Sequence, residues 1–140
     1  MSIARFLSQW ADLLTSGGVV NGTLTSSGTL SSTGNAYSAI NALTDGATIT
    51  PNFSTGNDFS VTLGGNRTFA NPTSPTAGQS GVFYISQDAT GGRTLTWGSY
   101  YKFPAGAAPT LSTAANACDA IFYTVRTTTS ITVNSVLNIA

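Results

Sequence analysis

The spacing of apolar and polar residues divides the chain into three zones. Over residues 1–16 the apolar side chains fall at Ile3, Phe6, Leu7, Trp10, Leu13 and Leu14. Steps of three and four residues place them on one face of a helix. Ser2 is suited to cap its start, and Gly17 and Gly18 follow the last periodic residue as a stop. A helix of about 13 residues is marginal alone, so the stripe calls for a surface to cover it. Three surfaces qualify: another copy of the chain, a larger particle, or the chain's own remaining domain.

Residues 17–46 lose this period. Gly, Ser, Thr and Asn dominate, apolar residues are scattered, and the segment reads as an extended arm. Gly22-Thr23-Leu24 returns as Gly28-Thr29-Leu30, yet two echoes fall short of the three repeats a solenoid needs. Residues 36–43 (AYSAINAL) have the pattern of one or two helical turns.

From residue 47 to 140 the period becomes two. Phe59, Val61 and Leu63 alternate with polar neighbours, as do Leu95 and Trp97, which is the pattern of half-buried strands. Further strands are predicted in SGVFYISQD, DAIFYTVRT and SITVNSVLNI. Gly64-Gly65-Asn66 and residues 89–92 (ATGG) read as hairpin turns, each followed by Arg-Thr at the start of a return strand. The fold class these signals predict is mainly β: an antiparallel β-sandwich or jelly-roll-like domain, preceded by a short N-terminal helix and an extended arm.

Composition narrows the function. Only 7% of residues are charged and the formal net charge is zero, against about 25% charged residues in an average domain. Such a chain offers no electrostatic footprint for nucleic acid or anionic lipid. No apolar run approaches the roughly 20 residues that span a bilayer, and the N-terminus lacks the unbroken apolar centre of a secretory signal. Synthesis in a cytoplasm is expected, with no nucleic-acid or membrane partner.

The sequence contains no His and no Glu. Ser-His-Asp and Cys-His sets are therefore impossible, and so is a His-containing metal site. Cys118, between small residues, reads as a small buried side chain. The carboxylates Asp12, Asp45, Asp58, Asp88 and Asp119 are dispersed along the chain. Asp58 and Asp88 sit beside predicted turns, where Asp commonly accepts from its own backbone. The expectation is that the chain is not an enzyme and holds no metal or cofactor. Replacing Asp58, Asp88 and Asp119 by Asn should then leave its role largely intact. Neither Gly-Gly segment ends in the Lys-Ser/Thr of a phosphate loop.

One cluster could bind a ligand. Trp97, Tyr100, Tyr101 and Phe103 lie close together in TWGSYYKFP. Tyr100, Tyr101 and Phe103 could form a surface aromatic patch for a sugar. Alternatively, some of the rings fill the core and the rest meet a neighbouring subunit. Adjacent Tyr100 and Tyr101 point opposite ways in a strand.

Residues 57–125, half the chain, resemble a module seen in tail-fibre, tail and capsid-associated proteins of phages and prophages. GGNRTFANPT, AGQSG, TLTWGS and APTLSTAAN carry the resemblance. It implies a role on the virion surface and brings no catalytic residues. Longer fibre proteins append the module to a shaft, and this chain has none. The expectation is therefore a capsid decoration (cement) protein, homotrimeric and bound to the major capsid protein on the capsid exterior. In that reading Ile3, Phe6, Leu7, Trp10, Leu13 and Leu14 join copies or grip the capsid. The alternative is a receptor-binding tip or short tail fibre that contacts host polysaccharide.

Overall fold

In a strand, successive side chains face opposite ways, so one alternating segment supplies one wall of a core. In the computed structural model such segments form two sheets. The structure describes residues 27–29, 34–35 and 37–139. By contacts the chain divides into two units, Met1–Ala36 and Tyr37–Ala140, and all the elements below belong to the second. The helix expected over residues 1–16, its apolar stripe and most of the arm lie outside the described residues.

The strands are β1 (Ile40–Ala42), β2 (Thr48–Ile49), β3 (Asp58–Leu63), β4 (Arg67–Phe69), β5 (Ser80–Gln87), β6 (Leu95–Trp97), β7 (Tyr101–Lys102), β8 (Cys118–Thr127) and β9 (Ser130–Val136). One sheet has the order β1-β3-β5-β8-β9-β7 and the other the order β2-β4-β6. The path is regular. From β1 to β6 odd and even strands alternate between the sheets, and each of β3 to β6 lies parallel to the strand two elements before it. The chain thus winds three stacked coils before β8 and β9 close the larger sheet as an antiparallel pair.

The mainly β expectation holds, and its antiparallel character holds only where β8 pairs with β5 and β9. β2, β4 and β6 are all mutually parallel, and β1, β3 and β5 likewise. The two Gly-Gly segments are corners rather than hairpin turns, because β3 and β4, like β5 and β6, lie in different sheets. Local alternation and turn residues signal a change of direction. They do not distinguish a reversal within a sheet from a climb to the opposite one. The helical turns expected within residues 36–43 are replaced by β1, which pairs Ile40–Ala42 with Asp58–Ser60. The compact unit accordingly begins at Tyr37, upstream of the boundary expected at residue 47.

In-register stacking builds the smaller sheet. Thr48, Thr68 and Thr96 align on its exposed face, and Ile49, Phe69 and Trp97 align behind them. Ile49 and Phe69 are fully buried, and Trp97 packs against the same core. Facing them are Phe59, Val61, Leu63, Phe83, Ile85, Ile121, Tyr123, Val125, Ile131 and Val133 of the larger sheet. Phe83 stands at the centre. It is edge-on to Phe69 at 5.0 Å and stacked on Tyr123 at 4.7 Å and on Phe59 at 5.6 Å. Edge-on and offset ring pairs add to what area burial contributes.

Candidate interaction surfaces

The corners spend half of the module's charged side chains on structure. Asp45, between β1 and β2, accepts from Arg67 Nε at 2.8 Å, from Arg67 Nη2 at 2.7 Å and from the Gly64 N–H at 3.2 Å. It thereby fastens the first coil's corner to the second. The forked guanidinium pair, then the Gly64 N–H, holds its carboxyl below the usual carboxylate range. Asn66 continues the stack by accepting from the Thr94 N–H. Asp88 accepts from the N–H groups of Thr90 and Gly91 and from Arg93. Its pKa is likewise lowered, first by Arg93 and then by the Gly91 N–H. Buried Gln87 closes the same corner, accepting from the Arg93 N–H at 2.7 Å and donating to the Arg93 carbonyl at 3.0 Å.

Asp88 is thus a turn aspartate, as expected. Asp58 instead accepts from the Val82 N–H on the neighbouring strand and from the Ser38 hydroxyl. Asp119 is fully buried and accepts at 2.8 Å from the N–H of Ser112 and at 2.8 Å from the N–H of Asn138. It ties the segment before β8 and the one after β9 to the sheet. The expected silence of replacing it by Asn is therefore revised. An amide has one acceptor oxygen, so its NH2 would face one of the two backbone donors. Asp119→Asn should cost about 2 kcal/mol, read as a lower urea midpoint. An unchanged midpoint would disprove the tether.

The aromatic cluster divides between core and surface. Tyr101 is 4% exposed and its hydroxyl donates to the Ala70 carbonyl, so it is not part of a surface patch. Burial raises its pKa. Tyr100 and Phe103 are half-buried and pack against the core. Trp97 meets Phe69, Tyr101 and Phe103 with centroids 5.1 to 5.3 Å apart. Cys118, expected to be buried, is half-buried at the start of β8. Among the described residues no three His, Cys, Asp or Glu side chains gather as a metal site would require.

Sequence reasoning missed the first coil. Its outer end holds an open hollow of about 530 Å³, whose lining includes Asn41, Thr44, Asp45, Thr48, Asn52 and Thr55. Hydroxyls and amides predominate, and the one carboxylate is held by Arg67. The Thr, Asn and Gly that read as linker composition around residues 41–46 line this hollow instead. Only pairing with β3, a long-range contact, reveals that they belong to a sheet.

Coils fastened by corner clamps, with a surface of uncharged polar groups, define a structural β-module. Residues 49–128 match the family described as "Putative phage tail fibre C-terminal domain". That span is more than half the chain, and the protein belongs to this family, a phage virion surface module. No curated protein and no solved structure matches the chain.

Proposed function

We propose that this chain is the receptor-contacting end of a phage tail fibre, and that its ligand is host surface polysaccharide. The match to a tail-fibre C-terminal domain over residues 49–128 carries this reading. It favours the fibre over the capsid-decoration role. The chemistry of the first coil supports the ligand class. A neutral polysaccharide presents hydroxyls, and the hollow presents hydroxyls and amides with no free charge to desolvate. The work is binding, with no catalytic step, cofactor or metal. Several copies, most simply three, act together, and the stripe of Ile3, Phe6, Leu7, Trp10, Leu13 and Leu14 joins them or attaches them to the particle.

Gold-labelled antibody on intact virions tests the location, and label at fibre ends is the expected result. Label spread over the head would instead restore the decoration reading. Purified protein in excess should also slow phage adsorption about tenfold or more by occupying the receptor. Adsorption at an unchanged rate would count against a receptor role.

A further inference from the structure

The module's carboxylates are satisfied in different ways. Asp45 and Asp88 each hold an arginine, and buried Asp119 accepts from two backbone N–H groups. The Asp58 carboxylate accepts only from the Val82 N–H and the Ser38 hydroxyl. Those two bonds use half of the roughly four lone-pair sites of a carboxylate and offset none of its charge. Among the described residues no cation pairs with it: Lys102 donates to the Ser99 carbonyl, and Arg126 lies further along β8. Strand parity puts this carboxylate across from an exposed ring. Phe59 and Phe83 face the core in register, so Asp58 and Val82 lie side by side on the outer face of the larger sheet. Val82 is paired in turn with Phe122. At about 4.8 Å per strand, Asp58 and Phe122 stand roughly 10 Å apart with Val82 between them. Val82 is buried and Phe122 is 48% exposed, so Val82 is a low floor beside a raised ring. Next to this row, on the same face, Ser80 and Thr124 share a hydrogen bond at 3.0 Å. Together these residues line an open trough of about 460 Å³.

We propose that this trough binds a protonated amino sugar of the host polysaccharide, with the ammonium group on Asp58 and the sugar ring against Phe122. Charge complementarity selects that occupant. A neutral sugar leaves the carboxylate's charge unmatched, and an acidic one is repelled. The C–H face of a pyranose ring suits the Val82 floor and the Phe122 ring, and an aromatic face also attracts a nearby cation. Ser80 and Thr124 offer their hydroxyls to those of the sugar. The source of the ligand rests on the receptor reading above. The site itself is separate from the first-coil hollow, whose lining shares none of these residues. Asp58→Asn is then not silent, contrary to the expectation from sequence.

Calorimetric titration of the full chain with a fully deacetylated chitin tetramer reads the site. At about pH 6, where the amines are protonated, this probe should bind about tenfold more tightly than the N-acetylated tetramer. Asp58→Asn should abolish that preference, and Phe122→Leu should weaken the deacetylated probe about threefold. A measurement on the wild type avoids any folding defect. Raising the salt from about 50 to about 500 mM should weaken the deacetylated tetramer about fivefold and leave the acetylated one unchanged. Failure of the deacetylated tetramer to bind, an affinity for it that ignores salt, or a preference that survives Asp58→Asn would overturn the proposal. Equal binding of the two tetramers would also overturn it while leaving the receptor reading intact, since the adsorption competition tests that reading on its own.

Discussion

Phe83→Ala should cost the module about 4 kcal/mol of stability, the largest loss expected from any single core truncation here. Phe83 is 1% exposed and touches rings from both sheets: Phe59 and Tyr123 of the larger, Phe69 of the smaller. Phe53, from the segment joining β2 to β3, adds a fourth neighbour, and Tyr101 a fifth. Removing the ring forfeits its transfer free energy. It also leaves a cavity that the stacked strands cannot close without breaking register. Against a total of about 5–15 kcal/mol for a domain, the variant should unfold at much lower urea. A loss under about 1 kcal/mol would mean that the two sheets do not share Phe83 as a hub.

Gly81→Ala should be the next most damaging change, at about 3 kcal/mol. A Cβ at this position would lie 1.9 Å from the Asn57 carbonyl oxygen and 3.0 Å from the Tyr123 hydroxyl. The backbone of the segment entering β3 passes directly over Gly81. The Tyr123 hydroxyl donates to that same Asn57 oxygen at 2.7 Å. Burial, with the Asp58 charge a lesser cause, raises the tyrosine pKa and keeps it a donor. The methyl group must therefore displace backbone and break the bond together. Tyr123→Phe removes the bond alone and should cost about 1 kcal/mol. Urea midpoints of the two variants decide the matter: a Gly81→Ala loss no larger than that of Tyr123→Phe refutes the steric account.

Strand content was legible because alternation is a local property. Phe59, Val61 and Leu63 face the core as their spacing predicts, and so do Ile121, Tyr123 and Val125. Strand direction was not legible. Gly64-Gly65 and Gly91-Gly92 punctuate corners as clearly as they would hairpins, and the partners that distinguish the two cases lie in other coils. The ion pairs show the same limit. Arg93 binds Asp88 nearby in sequence, whereas Arg67 binds Asp45 across a whole coil. β1 stayed hidden because Asn41 and Ala42 carry little apolar signal of their own. Of the aromatic cluster, Tyr100 lies in the turn before β7 and packs partly against the core, so strand parity did not decide how the two tyrosines divide. It could not say that Tyr101 would find the Ala70 carbonyl and stay inside.

The coiled path also changes where alignment is stored. In a hairpin the turn counts residues for both strands, and register follows from a few adjacent letters. None of β1 to β6 has its sheet partner next to it in the chain. Their alignment is held at a distance instead: Ile49 over Phe69 over Trp97 inside, and Asp45 locked to Arg67 at the rim. A slip of one residue would turn the threonine row inward and the apolar row out to water, so a few widely separated side chains act as the key for the whole stack.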